Sequence, residues 1–258
     1  MSEKNRICRE VQRKDRRALV SLWTRVFGDP SEVVEAFLDL LPEMGTGVLI
    51  EENDALLGPA YLIDGFTLVS PGAEPRRCGY LYAVAVEEHA RGQGLGAEIS
   101  RAAAAAGRAR GAEIICTLPA ERSLYAWYKS VLSLCYVNRR ISYLSSLSSL
   151  APRWTSLSAE EYGKRREELL AGRSHVRLSP PALRFQRELC LCYGGGFYAA
   201  EDGIFCAYSE ENGIWRLPEL LVPESSPPPF DDLRATEVPY LCSDVPLPES
   251  CVWNLTFD

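Results

Sequence analysis

Histidine is nearly absent from this chain: His89 and His175 are the only two in 258 residues. A histidine-based triad or metal site therefore has little to build on. His89 stands among Glu87, Glu88 and Arg91 and is expected in solvent. No apolar run approaches the roughly 18 residues that a membrane-crossing helix needs, and the start, MSEKNRICRE, lacks the apolar core of a secretory signal. A cytoplasmic protein with no membrane partner is expected. Cys-x-x-Cys pairs are missing too. The nine cysteines are an odd number, and the nearest two, Cys190 and Cys192, are separated by one residue. That supports neither a secreted disulfide framework nor a zinc site; reduced, mostly small core residues are expected, with no metal. An excess of positive charge is also lacking. The formal net charge of −7 argues against nucleic acid, whose binding needs clustered Lys and Arg, and would suit a cationic substrate.

What is present is an ordinary globular composition, 47% hydrophobic and 24% charged, long enough for one large domain or two small ones. Residues 7–11 read as a short strand. Ala18, Leu19, Leu22 and Val26 follow at helical spacing. Asp29 as N-cap with Pro30 at the first helical position opens a second helix, whose stripe is Val33, Val34, Phe37, Leu38 and Leu41. Strands are expected at 47–52 and 56–70 around an Asn53-Asp54 turn, then at 78–86 and 113–118, with helices at 94–110 and 122–132. The order β-α-α-β-β-β-α-β-α predicts an α/β protein with a mixed sheet: an antiparallel meander, then parallel strands joined by a helical crossover. Residues 145–153, SSLSSLAPR, read as strand end and linker. A new helix begins at Ser158, where Glu161 completes a capping box.

Gly92, Gly94 and Gly96 stand where the helix at 94–110 begins. Bare backbone N–H groups ahead of a helix N-terminus suit a phosphate; a glycine turn that merely makes a tight corner is the bland alternative. A Walker loop would need Lys-Ser/Thr after the glycines, and none follows. Gly92, Gly94 and Ala97 fit the dinucleotide fingerprint, but EEHAR separates Val86 from the turn and no acidic residue falls near Thr117, about 20 residues on.

The stretch RGQGLGA resembles the acetyl-CoA signature R/Q-x-x-G-x-G/A of the GCN5-related N-acetyltransferases, the GNAT superfamily. The resemblance extends to Val84-Ala85-Val86 before the turn and, after it, to the strand EIICTL and the helix AWYKS with its Trp127-Tyr128 pair, over roughly residues 6–145. LCY at 134–136 departs from the Gly-Phe usual there. The resemblance implies a GNAT fold, acetyl-CoA as cofactor, and transfer of its acetyl group to an amine of a small molecule or an exposed peptide. It implies that Val84, Ala85 and Val86 pair with the pantetheine arm, and that Arg91, Gly92, Gln93, Gly94, Leu95, Gly96 and Ala97 hold the pyrophosphate. It also implies that Tyr128 protonates the leaving sulfur, a sensible task for a phenol. A core aromatic beside Trp127 is the other reading of Tyr128, and Tyr125 is the substitute candidate. Acetyl transfer further needs a neutral amine and donors for the oxyanion. No base stands out among Asp64, Glu87, Glu88 and Cys116, which leaves a water chain, a backbone group or a later carboxylate such as Asp258. A silent acetyl-CoA sensor and a Rossmann-like dinucleotide binder remain as alternatives.

The later part reads as a second domain, with the division at 1–148 and 149–258. LIEENDALLGPAY from Leu49 aligns with FYAAEDGIFCAY from Phe197, both hairpins follow two helical segments, and residues 214–222 repeat the next strand. This half is expected to be a degenerate, GNAT-like copy without a cofactor site, because Pro227, Pro228 and Pro229 fall at its turn and offer no N–H. The two-half architecture also resembles, more loosely, that of the Eis-type acetyltransferases.

Overall fold

The structure, a computed structural model, describes residues 5–138, 140–146, 154–200, 202–209, 214–223, 225–226, 233–237 and 240–257. The chain forms two compact units. One comprises Met1–Thr67, Arg76–Asn138 and Leu241–Leu247, the other Leu68–Pro75, Arg139–Tyr240 and Pro248–Asp258. No helix among the described residues is long and apolar enough to cross a membrane.

The first unit runs β1 (Arg6–Glu10), α1 (Arg16–Phe27), α2 (Ser31–Met44), β2 (Gly45–Glu52), β3 (Ala55–Val69), β4 (Arg76–Tyr82), α3 (Leu95–Ala109), β5 (Ile114–Thr117), α4 (Ser123–Leu132) and β6 (Tyr136–Asn138). Pairing is antiparallel between β1 and β2 and between β2 and β3, and parallel between β4 and β5. This is the meander and crossover that the spacing implies. Asn53 and Asp54 turn the β2–β3 hairpin at φ 52° and 65°, the left-handed values that a two-residue turn requires.

Helix α1 buries Leu19, Leu22 and Trp23, while Ala18, which the spacing placed on its stripe, is exposed. The buried face is centred one residue further round, where Trp23 packs 5.0 Å from Phe37 and 5.5 Å from Tyr61. The start of α2 also differs from expectation. Pro30 is its N-cap and Ser31 its first residue, because the Asp29 carboxylate instead accepts the Trp23 indole N–H at 2.7 Å. Helix α3 lies so close to the sheet that a Cβ at Gly107 would fall 1.8 Å from Leu62 Cδ2.

A strand from far down the chain completes this sheet. β14 (Leu241–Ser243) gives the strand order β1-β2-β3-β4-β5-β14-β6. Cys242 stands opposite Thr117 on one side and Val137 on the other, antiparallel to both. Asp244 fixes the end: its N–H donates to Ile115 O at 3.0 Å and its Oδ1 accepts from Ile115 N at 2.9 Å. The units are thus not separated by one cut near residue 148, since the first takes in Leu241–Leu247.

The second unit contains β7 (Ile141–Ser146), β8 (Thr155–Ser156), α5 (Ala159–Leu169), β9 (His175–Leu178), α6 (Pro180–Cys192), β10 (Gly196–Ala200), β11 (Gly203–Ser209), β12 (Ile214–Leu221) and β13 (Arg234–Glu237). One sheet has the order β13-β7-β12-β11-β10-β8. The capping box on α5 is present, with Ser158 accepting from Glu161 N and the Glu161 side chain bonding back to Ser158. Inside, Arg166 grips Glu219 with Nε and Nη2 at 2.9 and 3.1 Å, and the Tyr162 hydroxyl donates to the same carboxylate at 2.9 Å. All three are buried, so each charge finds the partner that burial demands. Pro227, Pro228 and Pro229 of the expected proline turn, and residues 147–153 of the linker, lie outside the described residues.

Candidate active site at a strand fork and a glycine turn

Strands β4 and β5 stay paired from Cys78↔Ile114 to Leu81↔Thr117. The expected strand runs on to Val86, yet β4 ends at Tyr82 because Ala83 adopts φ 46° and turns the chain. Beyond it the backbone follows β3 alone: Ala85 N donates to Pro59 O at 3.0 Å and Glu87 N to Leu57 O at 2.8 Å. Gly58 permits this approach, for a Cβ there would meet Ala85 O at 2.3 Å. The two strands therefore fork after Leu81 and Thr117. Residues alternate their backbone groups across a strand, so Val84 and Val86 turn theirs away from β3, toward the fork. Their N–H groups have no backbone partner among the described residues, and Val86 O accepts from Arg91 Nε at 3.2 Å. Ala85, by contrast, commits its N–H to β3.

The glycine turn follows. A single helical turn at Glu88–Ala90 leads to Gly92 and Gly94, with φ 77° and 80°, and Gly94 caps α3. Here glycine serves the left-handed backbone rather than close packing, since nothing lies within 4 Å of a Cβ built at either position. The N–H groups of Ala97 and Glu98 bond to Gly94 O, at 3.1 Å each. Those of Gly92, Gln93, Gly94, Leu95 and Gly96 have no backbone partner among the described residues. Five donors at the positive end of a 15-residue helix make an anion site. Arg91 and Gln93 are exposed beside it, Gln93 Oε1 accepting from Arg6 at 3.1 Å.

Helix α4 closes over the turn. Trp127 Cζ2 comes within 3.6 Å of a Cβ on Gly96, and Tyr128 packs edge-on against Trp127 with ring centroids 4.8 Å apart. Tyr128 shares one apolar cluster with Leu81, Leu95 and Cys242, and Val84, Val86, Tyr125 and Trp127 pack against it. Burial pushes its phenol up to about 12, against an opposing hydrogen bond from the Thr117 side chain. The candidates of turn, fork and α4 thus converge on one cluster. Where a glycine is usual after such a helix, Ser133 takes φ 58° and the next residue, Leu134, is buried.

The candidate bases are accounted for differently. Asp64 is held by Arg110 at 2.5 Å and Arg77 at 3.8 Å. Glu87 pairs with Arg25 at 2.6 Å. Burial raises the Cys116 thiol well above its ordinary value, which leaves it a packed, inert group. Glu88 and His89 are exposed, and Asp258 lies outside the described residues. Sequence reasoning missed two neighbours of Tyr128: Cys242, which arrives on β14, and Thr117.

Residues 8–128 match the family model described as the acetyltransferase (GNAT) domain. Over these residues the chain is similar to a GNAT domain. This match favours the acetyltransferase reading of the turn over the dinucleotide one. Solved structures with the same fold include a GCN5-related N-acetyltransferase from Kribbella flavida, at 17% identity and a TM-score of 0.60, covering 85% of this chain and 57% of that one. A probable N-acyltransferase from Enterococcus faecalis V583 matches at 10% identity and 0.60, covering 93% and 72%. Eis1 from Mycobacterium abscessus matches at 14% and 0.59, covering 86% and 60%. The chain spans less than two thirds of the first and third of these proteins. The shared fold extends past the GNAT domain into the second unit. A search of curated proteins found no match to the sequence.

Proposed function

We propose that the chain is an acetyl-CoA-dependent N-acetyltransferase acting on an amine of a small molecule or an exposed peptide. Acetyl-CoA supplies an acetyl thioester and carries a pyrophosphate. The N–H groups of residues 92–96 would hold the pyrophosphate, assisted by Arg91, with Ala97 extending the first turn of α3. Val84 and Val86 would pair with the pantetheine arm along the open side of the fork, while Ala85 anchors that segment to β3. Tyr128 would give its proton to the departing sulfur; a phenol pushed up to about 12 stays protonated through the neutral range. The observation that carries this reading is the run of five backbone donors without a backbone partner among the described residues, set beside a strand fork whose cluster holds a buried tyrosine.

The net charge of −7 favours a cationic acceptor. The second unit we read as a degenerate GNAT-like half that binds no cofactor. A second reading, a silent acetyl-CoA sensor, is favoured by one observation: Asp64 and Glu87 are tied up by arginines. Transfer of labelled acetyl from acetyl-CoA to a panel of polyamines, amino sugars and peptides separates the two. Turnover on any amine supports the enzyme, and tight binding of acetyl-CoA with no transfer across the panel supports the sensor.

A further inference from the structure

Arg6, the first residue of β1, stands opposite Glu52 at the end of the sheet nearest the glycine turn. Cys8, two residues on and so on the same face, is opposite Ile50, which shares one cluster with Leu95 and Ile99 of α3. Arg6 thus lies on the face that carries α3, beside that helix's N-terminus. Its Nη2 donates to Glu52 Oε1 at 3.0 Å and to Gln93 Oε1 at 3.1 Å. Gln93 is a residue of the glycine turn, so a direct bond ties this guanidinium to the rim of the anion site. Nη1 has no partner among the described residues, and Nε is buried without one. The side chain is 30% exposed, which leaves it within reach of a ligand.

Its place relative to the fork decides what it could hold. The sheet order β1-β2-β3-β4-β5 sets β1 three strands from β4, about 14 Å at the usual strand spacing, while the fork opens on the other side of β4. Arg6 is therefore beyond the turn as seen from the fork. In acetyl-CoA the thioester and pantetheine arm lie on one side of the pyrophosphate, and the ribose with its 3′-phosphate on the other. With the arm in the fork and the pyrophosphate at residues 92–96, the ribose end extends past the turn.

We infer that Arg6 is a further cofactor-binding residue, which takes the 3′-phosphate of acetyl-CoA. The inference rests on the acetyl-CoA reading of the turn. A helix N-terminus supplies roughly half a positive charge, whereas a phosphate monoester brings about −2 near neutral pH, so the amides of the turn leave the second group unmatched. Arg91, the other guanidinium there, commits Nε to Val86 O on the fork side. A guanidinium is always charged and offers a fork of donors to phosphate oxygens. Glu52 orients Arg6 through Nη2 alone and leaves Nη1 for the ligand, although its charge offsets part of the attraction.

Titration calorimetry with acetyl-CoA and with acetyl-dephospho-CoA, which lacks only the 3′-phosphate, gives a ratio of two affinities. Arg6→Gln should lower that ratio about tenfold, the lower end of what a hydrogen bond to a charge contributes, by weakening acetyl-CoA and sparing the dephospho form. Arg6→Lys keeps the charge but not the fork, and its ratio should fall between those two. Loss of the Glu52 pair or a disturbed fold would weaken both ligands together and leave the ratio as it was. An unchanged ratio in Arg6→Gln would overturn the inference while the acetyl-CoA reading stood. A parent chain that bound neither ligand would overturn both.

Discussion

Removing the Asp244 carboxylate should loosen the cofactor-domain sheet at the strand that arrives last in the sequence. The structure allows the cost to be split. Oδ1 accepts from Ile115 N at 2.9 Å in a part-buried contact, and Oδ2 pairs with Arg108. The carboxylate is 16% exposed but the arginine 41%, so solvent screens their pair to about 0–1 kcal/mol. A charged acceptor lost from a buried main-chain N–H costs about 1.5–3 kcal/mol. Asp244→Ala should therefore destabilise the first unit by about 2–3 kcal/mol, with most of the loss in the Ile115 contact. For a chain of this size each kcal/mol lowers the Tm by about 2–4 °C, so a fall of roughly 5–10 °C is expected. Arg108→Met removes the exposed pair, along with the Arg108 Nη1 donation to Ala112 O at 2.9 Å, and should cost about 1 kcal/mol. Asp244→Asn keeps an acceptor for Ile115 and should recover most of the loss. Urea unfolding read from aromatic fluorescence measures all three. If Asp244→Ala and Arg108→Met proved equal, the main-chain contact would not hold β14 and the reasoning would be refuted.

Tyr128→Phe keeps the ring but removes the proton, and should lower kcat roughly 10²–10⁴-fold with little change in acetyl-CoA affinity; full turnover would return Tyr128 to the core and move the search to Tyr125. Gly107→Ala should destabilise the chain by about 1–3 kcal/mol despite the better helix propensity of alanine, because its Cβ would overlap Leu62; a gain in Tm would contradict the packing described. Glu167 is pushed up by burial, but hydrogen bonds from His175 and Arg177 outweigh this and bring it down from 4.5 to about 2. A carboxylate lowered in the folded state stabilises above its unfolded pKa, and that stability is lost as pH falls from about 4.5 toward 2. Urea midpoints over that range should therefore drop less for Glu167→Gln than for the parent, and parallel profiles would count against the ion pair.

The glycine turn, the crossover helix and the tyrosine helix were legible because their evidence is local. Spacing of apolar residues and three glycines before a helix fix them within about fifty residues of chain. β14 was not legible, since three residues at 241–243 carry no periodicity and gain their meaning only by pairing with Thr117 and Val137. Thr117 shows the same limit from the other side. In the sequence it served only to argue against a dinucleotide site by not being acidic, and its hydroxyl finds its acceptor, Leu81 O, once register sets the two residues opposite. Asp29 misled for a different reason: its carboxylate was claimed by the Trp23 indole six residues earlier, which overrode the N-cap preference.

Titration calorimetry of acetyl-CoA against the parent chain and Gly94→Asp tests the central claim most directly. Gly94 has φ 80° and open space around its Cβ position. Aspartate tolerates that backbone better than most residues, so the fold should survive while a carboxylate enters the anion site. The parent should bind one acetyl-CoA per chain, and the variant should lose at least about 100-fold in affinity, since like-charge contact adds to the lost hydrogen bonds, while its urea midpoint falls only modestly, by the backbone strain of a non-glycine residue at that φ. Equal affinity in the two proteins would contradict the assignment of the turn.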